Sequence, residues 1–192
     1  MSRFTDLFNF KKMFCGIGTS IFLDDAIIIN NYPFEPSIFF TKSKIDLNDS
    51  FEICYETFPP FIKIANEIVF ITSEKKDELK SFALRNKIPI FKSPANWDYI
   101  LEPYLDTEFS EEQIENSNEY LNKNGIGTSE LKTIRNEVGK QMMRYNFDTM
   151  LWEWVNLGLS DVLSAMRKKY NKQQFEIFYF KAMEIEMRTG FK

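Results

Sequence analysis

A chain of 192 residues with 28 acidic and 24 basic side chains carries a net charge of −4 and contains no histidine. The missing histidine excludes Ser-His-Asp and Cys-His nucleophile systems, most zinc sites and the Glu-x-x-His signature of di-iron bundles. The acidic balance argues against broad nucleic-acid binding, which needs a basic surface to displace counterions.

All seven prolines lie at or before Pro103. Proline lacks an amide donor and fixes φ, so it punctuates turns and strand edges and is excluded from helix interiors. The first half therefore reads as short elements and the second as successive helices. Residues 2–15 predict a short amphipathic helix, with Phe4, Leu7, Phe8 and Phe14 on one side and Gly16 and Gly18 ending it. Asp6, Lys11 and Lys12 interrupt the apolar run, so this segment does not read as a signal peptide. SIFLDDAIIIN, over 20–30, predicts a β-hairpin turning at Asp24-Asp25. Residues 37–42 and 51–57 are β-rich runs joined by a polar segment. Residues 68–71 predict a strand and 73–86 an amphipathic helix with Leu79, Phe82 and Ala83 inward. Residues 88–91 predict a second strand. Strand, helix and strand of these lengths fit a parallel crossover. In element order alone, several strands and one closing helix also resemble small capped barrels of the PH type.

Residues 93–122 hold eight acids and no lysine or arginine: Asp98, Glu102, Asp106, Glu108, Glu111, Glu112, Glu115 and Glu119. Residues 96–109 read as an acidic connector. A helix begins after Ser110, where Ser-Glu-Glu-Gln has capping-box spacing, and ends at Asn124-Gly125. The next helix runs from Thr128 or Ser129 to about Tyr145, with Leu131, Ile134, Val138 and Met142 as its stripe. Gly139 inside it predicts a close helix–helix crossing. Residues 148–168 predict a long apolar helix, the organising element of the second half, which Gly158 either kinks or splits. The last helix starts near Asn171 and carries Phe175, Phe178, Ala182 and Ile185. Strict alternation at Met183, Ile185 and Met187 keeps strand open for 175–187.

Cys15 and Cys54 lack metal-ligand spacing and read as buried free thiols of a reducing compartment. GIGTS occurs at 16–20 and at 125–129, and is read as cap chemistry rather than as a phosphate loop. The only basic cluster, Arg167, Lys168, Lys169 and Lys172, follows an expected helix whose dipole it complements. Asp161, within an apolar stretch, predicts a partner such as Arg135 or Arg144.

The expected architecture is α+β. A small mixed or antiparallel sheet with one or two helices occupies 1–95, the acidic connector 96–109, and three to four helices 110–192. The functional expectation is a non-enzymatic, cytoplasmic protein-binding or regulatory module, in one form an immunity or inhibitor protein using acids against a basic protein. Its candidate interaction surface is Trp97, Tyr104, Asp106, Glu108, Glu111, Glu112, Trp152 and Glu153. No cofactor, metal or membrane partner is expected. The alternative is a carboxylate- and metal-dependent hydrolase with Asp98, Glu102, Asp106 and Glu108 at the connector.

Overall fold

The computed structural model describes residues 15–105, 109–148 and 156–190, with side chains described for all of these except 146–148. The fold is α+β. Its chain divides into two units, Gly16–Ser93 and a helical unit formed by Cys15 with the described residues from Pro94 onward. The helix expected over 2–15 lies outside the described residues, Cys15 excepted.

Short β-branched and aromatic runs separated by turns build the first unit. Strands β1 (Thr19–Phe22), β2 (Ala26–Asn30) and β3 (Lys44–Asp46) form one antiparallel sheet in that order. The hairpin expected at Asp24-Asp25 is present, with Phe22 opposite Ile27. Strands β4 (Phe51–Cys54), β5 (Phe61–Ile64) and β6 (Glu67–Phe70) form a second antiparallel sheet. Strand β5 escaped the sequence reading, although Ala65, at φ +51, turns the chain so that Ile64 pairs with Glu67. Helix α1 (Lys76–Asn86) follows and buries Leu79, Phe82 and Ala83 as its periodicity requires.

The expected crossover survives only as a single parallel bridge between Ile53 of β4 and Ile90. Pro89 and Pro94 explain its brevity, since neither offers an amide to a longer ladder. The β-rich run at 37–42 is instead a 3-10 turn, Ile38–Phe40. Ser37 caps it by accepting from the Phe39 amide, and its own hydroxyl donates to the buried Glu67 carboxylate at 2.6 Å. On β6, the Tyr32 hydroxyl accepts from the Phe70 amide and donates to the Ile68 carbonyl, each at 3.2 Å. One side chain thus satisfies two groups of an otherwise open strand edge.

The second unit comprises, among the described residues, α2 (Asn96–Leu101), α3 (Glu111–Lys123), α4 (Thr128–Asp148), α5 (Leu159–Met166) and α6 (Lys172–Met187). Residues expected as connector fold as α2 and a 3-10 turn, Glu102–Tyr104. They do so because α2 is tied to the end of α6. The Trp97 indole donates to the Ala182 carbonyl at 2.9 Å, and the Trp97 amide to Glu186 Oε2 at 3.0 Å. The Asn96 amide group donates to the Ile185 and Arg188 carbonyls at 2.7 and 2.8 Å, and accepts from Asn124 at 2.8 Å. Orphan carbonyls at a helix end are thereby paired inside the protein.

The long helix expected over 148–168 is not continuous. Residues 156–158 are not helical, and α5 begins at Leu159. The Gly158 amide donates to Asp161 Oδ2 at 3.0 Å, so the carboxylate starts a helix where the sequence pattern reads an interior. Residues 149–155, including Trp152, Glu153 and Trp154, lie outside the described residues. For 175–187 helix is realised over strand, with an Asn171–Gln174 capping box and buried Phe175, Phe178, Ala182 and Ile185.

Candidate functional site

Two features of the helical unit carry exposed or perturbed carboxylates. The first is the start of α3. The Ser110 hydroxyl accepts from the Gln113 amide at 3.2 Å, and the Gln113 side-chain oxygen accepts from the Ser110 amide at 2.9 Å. This capping box fixes where the helix begins. Every residue from 111 to 116 is exposed, and only Ser117 and Leu121 of α3 are buried. Among the described residues no ion pair reaches Glu111, Glu112 or Glu115, whereas Glu119 meets Lys123 at 3.4 Å. A groove of about 340 Å³ runs along this face, lined by Glu111, Ile114, Glu115, Asn118, Glu119 and Thr128 among others. Ile114, 43% exposed, is its apolar centre.

The second feature is a cavity of about 340 Å³ beside α2. Asp98 and Glu102, one helical turn apart, line one side with Tyr99. Leu105, Phe109, Asn156 and Leu157 complete the lining with Ala95. Tyr99 is held by its ring contact with Tyr120 of α3, centroids 4.6 Å apart. Gly158 lies so close to Asp98 that an added Cβ would stand 2.9 Å from Asp98 Oδ1. Since Gly158 also donates to Asp161, the two aspartates flank one glycine. Asp161 Oδ1 accepts from the Tyr145 hydroxyl at 3.2 Å.

Electrostatics follow from this crowding. Burial pushes the Asp98 carboxyl up to about 7, and the negative charges of Asp161 and Glu102 add to the shift. Burial also raises Asp161, against the opposing hydrogen bonds from Gly158 and Tyr145. The Tyr99 hydroxyl is raised by burial and by Tyr120, Glu102 and Asp98. Of the two arginines expected as partners of Asp161, Arg135 is directed elsewhere. Its guanidinium donates to the Ile100 and Tyr99 carbonyls and to Asn118 at 3.1, 3.1 and 3.2 Å. A tyrosine and a backbone amide hold Asp161 instead.

The expected surface residues separate accordingly. Glu111 and Glu112 are exposed on α3. Trp97 is fully buried, so its ring holds α2 against α6 and presents no face to a partner. Tyr104 is half-buried against α4, its hydroxyl donating to the Arg135 carbonyl at 2.7 Å. That ring also explains Gly139. An added Cβ there would stand 2.7 Å from the Tyr104 hydroxyl, so the close approach is by a tyrosine and not by a second helix. Asp106, Glu108, Trp152 and Glu153 lie outside the described residues.

Among the described residues no group of three or more cysteines, aspartates or glutamates could hold a metal ion. Cys15 and Cys54 are not joined in a disulfide; Cys54 is buried and Cys15 partly so. Cys15 Sγ lies 3.4 Å from the Ser164 hydroxyl, and burial raises its thiol despite nearby Arg167 and Lys168. Of the basic cluster, Lys169 donates to the Glu137 carbonyl at 2.6 Å and supports the fold. No helix among the described residues is long and apolar enough to cross a membrane. Asp98 and Asp161 each stand out in the sequence, but their proximity is not legible there, because Gly158 brings two distant segments together. Comparison of this chain with protein families, curated proteins and solved structures returned no match.

Proposed function

We propose that this chain is a cytoplasmic, non-enzymatic protein-binding module that engages a basic protein through the acidic face of α3. The observation that carries the reading is the run 111–116, every residue of it exposed, with three glutamates that meet no cation among the described residues. A helix buries its apolar stripe and solvates the rest, yet this end buries nothing and leaves Ile114 in the open. Unpaired like charge steers an oppositely charged surface, and an apolar centre inside a polar rim is the anatomy of a protein interface. Two cysteines not joined in a disulfide fit a reducing compartment.

The test is capture from lysate at low and high salt with the wild-type chain and with Glu111→Lys, Glu112→Lys, Glu115→Lys combined. The expected result is a basic protein retained by wild type, released by salt and lost by the variant. Glu115→Gln with Glu119→Gln, which leaves the first-turn acids and the helix dipole untouched, should weaken capture in part. Equal capture by all three chains refutes the reading.

A further inference from the structure

A second site, independent of the α3 face, is carried by the cavity beside α2. Its volume, about 340 Å³, lies at the lower end of small-molecule pockets. Its lining is divided. Tyr99, Leu105, Phe109 and Leu157 supply apolar and aromatic wall, while Asp98 and Glu102 supply carboxylates on one side. Tyr99 is already fixed by Tyr120, whose hydroxyl donates to the Pro94 carbonyl at 3.0 Å. The wall is therefore pre-organised, and little order is lost on binding.

Charge balance identifies the ligand. The charged groups acting on Asp98 are Asp161 from α5 and Glu102 from its own segment, both negative. Tyr145 of α4 reaches Asp161 only through a neutral hydroxyl. Among the described residues, Arg135 of α4 acts on Glu102 and Tyr104, and its guanidinium donates to two backbone carbonyls and Asn118. Anions meet repulsion from these carboxylates, and a neutral apolar ligand leaves them desolvated and unpaired. An ammonium on an apolar stem meets carboxylates at its head and aromatic faces along its body.

We propose that this cavity is a binding site for an organic ammonium group, with Asp98 as its principal counter-charge and Glu102 as the second. The raised Asp98 then has a consequence: the carboxyl must lose its proton to hold the cation, so affinity rises with pH through the neutral range.

Calorimetric titration with benzylamine, and with benzyl alcohol as its neutral match, tests this on the full chain. Benzylamine is expected to bind with a Kd of about 1 mM or better and at least about tenfold more tightly than benzyl alcohol. With Asp98 near 7, about tenfold more of it is ionised at pH 8 than at pH 6, and benzylamine affinity should rise by up to that factor. Asp98→Asn should lose the preference for the amine and most of the pH dependence. Glu102→Gln should weaken binding less, and unchanged tryptophan fluorescence shows that both variants are folded. N-acetyl-lysine methylamide distinguishes the source: tighter binding than benzylamine places the ammonium on a protein side chain, weaker binding on a free amine. Equal binding of benzyl alcohol, no heat from benzylamine at millimolar concentration, or undiminished binding by folded Asp98→Asn overturns the proposal.

Discussion

Replacing Asp98 by asparagine should make the helical unit more stable at pH 8 relative to wild type, an unusual outcome for a largely buried polar position. The carboxyl is raised from its ordinary 3.8 to about 7 in the folded chain. Below pH 4 it is protonated whether the chain is folded or not, and it imposes no cost. Between pH 4 and 7 the unfolded chain loses the proton and the folded chain keeps it, so stability falls as pH rises. Above 7 the whole difference stands. Roughly 3 pH units correspond to about 4 kcal/mol. Solvent entering the cavity screens the charge, and about half of that, near 2 kcal/mol, is the working expectation. Asparagine has nearly the same shape and no charge, so it removes the slope. Urea unfolding is the assay, followed by tryptophan fluorescence, since all three tryptophans follow residue 94 in the sequence. The stability of Asp98→Asn relative to wild type should grow by about 2 kcal/mol between pH 4 and pH 8. Asp161 acts on Asp98, so any change in its own ionisation in the variant is part of the measured difference. A relative stability that is flat or falls across that range refutes the reasoning.

Gly139→Ala should destabilise by about 1–3 kcal/mol, because the new methyl meets the Tyr104 hydroxyl and breaks its bond to the Arg135 carbonyl. Adding Tyr104→Phe should recover part of that loss, and unfolding of the double variant checks it. Tyr32→Phe should lower the stability of the sheet unit by about 1–2 kcal/mol, since it strips both hydrogen bonds from β6. Hydrogen exchange should speed first at the Phe70 amide. Trp97→Ala should cost about 3–5 kcal/mol, read by urea unfolding, with no salt-dependent effect on partner capture if α2 is core.

Periodicity and punctuation made much of the fold legible. The β1–β2 hairpin, α1, the capping box of α3, the stripe of α4 and the inward face of α6 all follow from residue spacing. What escaped depends on contacts distant in sequence. Residues 96–101 read as part of the acidic connector because their partners, Ala182, Ile185 and Glu186, sit on another helix. Strand β5 was hidden by its brevity and by the flanking prolines. Gly158 was recognised as a weak point, yet only the fold shows Asp161 turning back to accept its amide. For the acidic face, charge density was visible in the sequence. The α3 structure adds which acids meet no cation among the described residues, and the cavity adds which one is perturbed.

The bond between Asn96 and Ile185 spans 89 residues of chain. During synthesis α2 therefore emerges well before the helix that satisfies it. Among the described residues, strands β1 to β6 pair with one another only as sequence neighbours, and the one bridge beyond them, Ile53 to Ile90, spans 37 residues within the same unit, so this unit can assemble early. Vectorial folding of this chain should thus proceed in two phases: an early sheet unit closed by local contacts, and a helical unit that stays open, with Trp97 accessible to chaperones, until α6 has been made.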